Sequence, residues 1–374
     1  MTRMALAAAL ATAIALTGCA TPQRQDAPAD SGAAAAEGLP EYTRAPGVIT
    51  QEDLEESADP LAAWFDQTDV EQISVVSTLD GAEQPALFAP PAEPGGALLV
   101  EVHSWSDDYT QEYGIPPAQW AAQVGWGFLH PDFRGRNDNP DATGSELAVR
   151  DVVDAVDYAI ETAGVDPDRV YVMGFSGGGM MSLLLAGHYG DRFAGAVSWV
   201  PIHDLAQWYA YNRDEQPDRA YAGEIEASCG GDPTVAGPAA ESCAARSPSS
   251  VLGEAADAGI PVYIGAGIDD DIVPASHALQ SFNALAAEAD RLPPEAVEAA
   301  RSARLPEEAA HSEVDTFFTD AEPEVLWART SGPVTLALFD GGHDYVSIPV
   351  WTGWPDSTPT ADHTCRTDRP LDDP

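Results

Sequence analysis

Residues 170–180 read Val-Tyr-Val-Met-Gly-Phe-Ser-Gly-Gly-Gly-Met, and the order of residue types there decides how the surrounding chain folds. Val170 to Phe175 is a short apolar run rich in β-branched and aromatic side chains, the pattern of a buried strand. The glycines, methionines and leucines that follow open a helix with no spacer between. Ser176 thus stands on a strand-to-helix turn so tight that its neighbours must be small, and Gly174 and Gly178 meet that need two residues to either side. Such a turn lifts the Ser176 hydroxyl above the sheet. The helix behind it points free N–H groups at the same place, with the Gly177 N–H aimed where negative charge on an oxygen would develop. Three glycines after a strand could also merely let a helix pack closely, but strand, turn and helix in this order favour a nucleophile.

A nucleophilic Ser needs a base, and the base needs a carboxylate to orient it. Val262 to Ala266 reads as a buried strand running into Gly267-Ile268-Asp269-Asp270-Asp271-Ile272-Val273-Pro274. Asp269, Asp270 and Asp271 compete for the acid role, and the plainer reading of the three is a solvated or calcium-type acidic loop. Farther on, Val334 to Phe339 runs into Asp340-Gly341-Gly342-His343-Asp344, so His343 on its glycine loop is the candidate base. His103, His130, His188, His203, His277, His311 and His363 lack that placement.

Outward from these points the chain alternates. Ile73 to Thr78 and Ala86 to Phe88 form a hairpin around Asp80-Gly81, and Ala97 to His103, Gly127 to His130, Arg169 to Phe175, Ala194 to Val200, Ile260 to Ala266 and Val334 to Phe339 read as further strands. Helical segments such as Leu147 to Thr162 fall between them. The pattern predicts an α/β fold, a mostly parallel twisted sheet with helices on both faces. Residues 202–257 interrupt it as a cap insertion, and residues 288–332, acidic, Ala-rich and punctuated by Pro, as a peripheral helical insertion. Trp199, Trp208, Tyr209 and Tyr211 offer either an aromatic wall to the site or ordinary cap core.

The amino terminus carries a separate message. Arg3, the apolar stretch Ala5 to Leu16, and Leu16-Thr17-Gly18-Cys19 resemble a bacterial lipoprotein signal. The resemblance implies a signal peptide over residues 1–18, lipidation of Cys19, and an exported protein held by lipid on the extracytoplasmic face of the membrane. An ordinary secretory signal is the plainer alternative. Residues 19–60 then read as a flexible tether, 61–352 as the catalytic domain and 353–374 as a tail. In an oxidising compartment Cys229 and Cys243, which enclose a short loop rich in Gly and Pro, are expected to bridge, leaving Cys365 free or exchanging partners. There is no Cys-x-x-Cys and no His near the Cys at ligand spacing, so no metal site is expected.

The 374 residues hold 61 acidic and 17 basic side chains, all of the latter Arg, for a formal charge of -44. That balance opposes nucleic acid and anionic lipid surfaces as partners and suggests a saline setting.

Several segments, taken with the turn at Ser176, carry a likeness to a known family: Asp80-Gly81, Pro131-Asp132-Phe133-Arg134-Gly135, Asp151 to Tyr158, Val165-Asp166-Pro167-Asp168-Arg169, and Asp191-Arg192-Phe193. From about residue 73 to 350 the chain resembles the catalytic domain of the prolyl oligopeptidase family of serine peptidases, within the α/β-hydrolases. The resemblance implies a Ser-His-Asp triad of Ser176, His343 and Asp270, the spacing Gly-x-x-Asp-x-x-Val-Pro selecting Asp270. It implies an acyl-enzyme mechanism that needs no cofactor. His103-Ser104-Trp105 occupies the place of the family's His-Gly-x, which makes the Trp105 N–H the second oxyanion donor beside Gly177. Ser104 departs from the usual Gly, and the chain has no room for the propeller of the true oligopeptidases. With the propeller gone, small carboxylic esters are the expected substrates. A peptidase acting on short peptides is the alternative, and a non-catalytic binding lipoprotein on the same fold a further one. The oligomeric state is left open by the sequence.

Overall fold

The computed structural model describes residues 48–49, 57–306 and 324–346. These fall in one compact unit, Gly38–Pro374, while the other, Met1–Glu37, lies wholly outside the described residues, as do Cys19 and Cys365. In chain order the elements are β1 (Val48–Ile49), α1 (Pro60–Gln67), β2 (Glu71–Val76), β3 (Glu83–Ala89), β4 (Leu98–Val102), α2 (Ile115–Val124), β5 (Gly127–Pro131), α3 (Glu146–Ala163), β6 (Val170–Phe175), α4 (Gly177–His188) and β7 (Gly195–Trp199). There follow α5 (Leu205–Glu215), α6 (Tyr221–Cys229), α7 (Pro238–Ala245), α8 (Leu252–Ala258), β8 (Val262–Gly267), α9 (Ser276–Leu285), α10 (Pro294–Arg301), β9 (Val325–Ser331), β10 (Val334–Phe339) and β11 (Tyr345–Val346).

Nine strands form one sheet in the order β2-β3-β5-β4-β6-β7-β8-β10-β9. From β5 to β10 every neighbouring pair is parallel, and only β2, β3 and β9 join antiparallel. The central strands β4, β5, β7 and β8 are buried at every position, as a sheet covered on both faces requires. Parallel strands share a direction, so the carboxyl ends of β4, β6, β8 and β10 open onto one edge, where such sheets hold their functional groups.

The segments that carried the family likeness tie the sheet margin to its covering helix. Arg134 donates to Asp80 in the β2–β3 turn at 2.8 Å and to the buried Asp151 of α3 at 2.5 Å. Its guanidinium holds the Asp80 carboxyl well below the usual carboxylate range. One turn along α3, Asp154 accepts the Thr78 backbone N–H at 2.7 Å. Ser145 caps the same helix by accepting from the Ala148 N–H at 3.0 Å, and Gly164, at a φ of 65°, ends it.

Three sequence expectations need correction. Residues 19–60 are not all tether, because Val48–Ile49 pairs with Tyr345–Val346; two residues carry no periodicity to read. Residues 288–332 are not wholly a helical insertion, since β9 occupies their end as an antiparallel sheet edge, its Val, Leu and Trp masked by an acidic approach. Trp199 forms no wall: it is fully buried in β7 and packs on Tyr263 and Phe339 at 5.6 and 6.1 Å. Residues 202–257 do insert between β7 and β8, as α5, α6, α7 and most of α8. A disulfide between Cys229 and Cys243 joins the end of α6 to α7.

Candidate active site

The turn after β6 has the geometry that its glycines imply. Ser176 takes a φ of 57° and a ψ of -115°, a left-handed conformation for a residue with a side chain. Positions of this kind cost about 1–3 kcal/mol and persist only where packing enforces them. Here the enforcement is steric. A Cβ on Gly174 would collide with the Gly178 carbonyl, and one on Gly178 with the Val102 carbonyl, so only glycine lets β6, the turn and α4 approach so closely. The Ser176 N–H donates to the Trp199 carbonyl at 2.9 Å, which fixes the turn from the neighbouring strand.

Ser176, Asp270 and His343 come from the ends of β6, β8 and β10 and meet above the sheet. His343 Nε2 lies 2.9 Å from Ser176 Oγ, and His343 Nδ1 lies 2.8 Å from Asp270 Oδ2. The other carboxylate oxygen of Asp270 accepts the N–H groups of Ile272 and Val273 at 2.8 and 2.9 Å. With both oxygens engaged, the carboxylate is rigid and directed at the imidazole. Phe175 packs against the His343 ring at 4.8 Å. Of the three neighbouring Asp residues, Asp270 alone is buried. Asp269 is exposed, and Asp271 is an exposed partner of Arg219 at 2.9 Å.

Trp105 is also where the sequence puts it. Its amide nitrogen lies so close to Gly177 that a Cβ there would sit 2.5 Å away, so the two backbone amides are neighbours beside Ser176. The Gly177 N–H, first in α4, has no intrahelical acceptor. Ser104, in the place of the expected Gly, is held by Gln111, which accepts the Ser104 N–H at 2.7 Å and donates to its hydroxyl at 2.6 Å. His103 turns away from the site and stacks on Phe133 at 3.7 Å.

A cavity of about 350 Å³ opens at Ser176 and His343, lined also by Trp105, Asp107, Gln111, Tyr113 and Tyr221. Tyr113, Tyr221 and Gln111 escaped sequence reading, since each comes from a loop or helix end without a motif. The aromatic residues proposed for the wall do other work. Trp208 donates its indole N–H to the Ile272 carbonyl at 2.8 Å, and the Tyr209 and Tyr211 hydroxyls donate to Glu226 and the Asp271 carbonyl. They are cap core. Among the described residues no group of three metal-ligating side chains occurs.

Residues 118–293 match the model of the prolyl oligopeptidase family, a span that includes Ser176 and Asp270 and ends before His343. The chain is 42% identical over 73 residues to a feruloyl esterase B of Thermothelomyces thermophilus, covering 19% of this chain and 23% of the relative. It is 30% identical over 141 residues to an uncharacterized peptidase of Bacillus subtilis, covering 36% of this chain and 53% of that one. The chain thus spans about a quarter and about half of these relatives' lengths. Among solved structures, the acylaminoacyl peptidase of Pyrococcus horikoshii aligns at 14% identity and a TM-score of 0.49, over 76% of this chain and 40% of its own. The family match over residues 118–293, taken with the sheet order and the turn at Ser176, makes this region similar to the prolyl oligopeptidase family, with the residue set of a serine hydrolase.

Proposed function

We propose that this is an exported, lipid-anchored serine hydrolase that cleaves small carboxylic esters through an acyl-enzyme on Ser176. The observation that carries the reading is the hydrogen-bonded line Ser176–His343–Asp270, with two backbone amides beside its nucleophile. Ser176 Oγ attacks the ester carbonyl carbon while His343 Nε2 takes its proton, and Asp270 holds the Nδ1–H and stabilises the imidazolium. The carbonyl oxygen becomes an oxyanion that accepts from the Gly177 and Trp105 N–H groups. Collapse expels the alcohol, which receives the proton from His343. Water, deprotonated by His343, then attacks the acyl-enzyme, releasing the acid and restoring Ser176.

The ester preference is supported by the esterase relative and by a cavity of about 350 Å³, a size suited to a small acyl group. Export and anchoring rest on Leu16-Thr17-Gly18-Cys19. Hydrolysis of short peptides is the second reading, favoured by the family match and the peptidase relative. A panel of aryl and alkyl acyl esters beside Xaa-Pro amides separates the two. Higher kcat/KM on the esters is the expected result, and amide turnover exceeding ester turnover would replace the ester reading with the peptidase one. Radiolabelled palmitate incorporation in cells, lost in Cys19→Ser, tests the anchor.

A further inference from the structure

One face of the cap helix α6 is directed at the loop that carries the Trp105 amide. Tyr221, Glu224 and Ser228 recur along it at helical spacing. Glu224 Oε2 accepts the Trp105 indole N–H at 2.7 Å, across 119 residues of sequence. Tyr221 and Ser106, the next residue of the loop, both line the cavity. Ser228 Oγ lies 2.7 Å from Thr143 Oγ1 in a buried contact. The Thr143 N–H donates to Asn137 Oδ1 at 2.9 Å, and the Asn137 backbone N–H donates to the Trp105 carbonyl, also at 2.9 Å. Trp208 stands edge-on to the Trp105 ring at 4.8 Å and closes the remaining side. The loop is therefore held directly from α6 at the indole by Glu224, its carbonyl is linked to α6 through Asn137, Thr143 and Ser228, and α6 is fastened at its end by the Cys229–Cys243 disulfide.

We propose that α6 is a positioning element for the oxyanion site, with Glu224 its principal positioning residue: by fixing the Trp105 indole it holds the Trp105 N–H at the distance from Ser176 that the transition state needs. The proposal rests on the serine-hydrolase reading. It gives the cap a part in the chemical step beyond shaping the cavity. An amide displaced by a fraction of an ångström loses most of its worth in the transition state but little in substrate binding, because the oxyanion exists only in the former.

The test uses the full chain with Glu224→Ala, Glu224→Gln, Trp105→Phe and the double variant Trp105→Phe/Glu224→Ala, read by kcat, KM, inhibition by phenylboronic acid, and melting temperature. Phenylboronic acid reports on the site because its adduct with Ser176 is tetrahedral. Glu224→Ala should lower kcat about tenfold to a hundredfold, a part of the loss that removing an oxyanion donor outright causes. KM should move less than about threefold, and boronate affinity should fall in step with kcat. Glu224→Gln, whose amide oxygen still accepts the indole N–H, should restore most of the rate. Trp105→Phe keeps the backbone N–H and loses only the indole donor, so it should reproduce the Glu224→Ala loss, and the double variant should be no worse than either single one. Unchanged kcat in Glu224→Ala with an active wild type overturns the proposal alone, as does additive loss in the double variant or failure of Glu224→Gln to rescue. Should Glu224→Ala not fold, Trp105→Phe and Glu224→Gln decide by the same criteria. A wild type that neither turns over esters nor takes up a fluorophosphonate overturns the serine-hydrolase reading and this proposal with it.

Discussion

Asp270 differs from its two acidic neighbours by what the backbone does around it. Its two oxygens divide the work, one taking the Ile272 and Val273 N–H groups and the other facing His343. Asp270→Asn would present an amide to Nδ1, favour the wrong imidazole tautomer and deprive the imidazolium of its counter-charge. Loss of about 10⁴ in kcat is expected, against a change of less than about threefold for Asp271→Asn, whose side chain pairs only with Arg219 at the surface. Steady-state kinetics on one activated ester checks both. At this scale the sequence was legible where function is local. Ser176 sits inside its own motif and His343 on its own glycine loop, but three adjacent Asp residues look alike until the chain direction after β8 is known, and the likeness to a family was needed to choose. Gln111, Tyr221 and Glu224 could not be read at all, because each acts on a segment that only the folded chain brings near.

Among elements, the strands buried on both faces were the easiest to place. β10 spans Val334–Phe339 in the structure as in the sequence, and α3 differs from its expected span by one residue at each end. Short or edge elements escaped, because β1 has two residues and β9, seven residues long at the sheet edge, mixes buried, half-buried and exposed positions without a clean alternation. The motif segments near the hairpin were informative for a reason that is not catalytic: Arg134 binds the β2–β3 turn and α3 together. Arg134→Ala strands the fully buried Asp151 carboxylate, which burial already pushes toward protonation. Breaking a buried pair on one side costs about 3–5 kcal/mol, and urea unfolding should show a loss of that order while the kcat of the folded fraction is retained. Arg134→Lys should recover only part, since an ammonium cannot fork between Asp80 and Asp151. A loss below about 1 kcal/mol for Arg134→Ala would mean that the tie is dispensable.

At the scale of the molecule two properties follow from ionisation. With 61 carboxylates and 17 Arg, self-repulsion works against the compact state at low ionic strength. The Debye length falls from about 30 Å at 0.01 M salt to about 3 Å at 1 M. The melting temperature of the full chain should rise with NaCl across that range, and a flat or falling profile would remove the inference of a saline setting. The second property concerns the buried imidazoles His203 and His277. Burial pushes His203 down to about 4 and His277 down to about 3, so both are kept neutral, and His277 Nδ1 accepts the His203 backbone N–H at 3.1 Å. In the unfolded chain each titrates near 6.5, so the unfolded state binds more protons below that pH and stability falls as pH drops from 6.5 toward 4. Each imidazole contributes about 2 kcal/mol of that loss by pH 5. His277→Asn keeps an acceptor for the His203 N–H and removes one titration, so urea unfolding at pH 7.5 and pH 5 should show a smaller pH penalty in the variant than in the wild type. An equal penalty in both would assign the pH dependence elsewhere.

The chemistry proposed at Ser176 makes one intermediate that no binding module would form. Brief incubation of the full chain with p-nitrophenyl acetate, acid quenching and peptide mapping by mass spectrometry should find one acetyl group on the peptide that contains Ser176, preceded by a burst of nitrophenol. Ser176→Ala should show neither acetylation nor burst while keeping the wild-type melting temperature. Acetylation elsewhere with Ser176 unmodified, or undiminished turnover in Ser176→Ala, would contradict an acyl-enzyme at this residue.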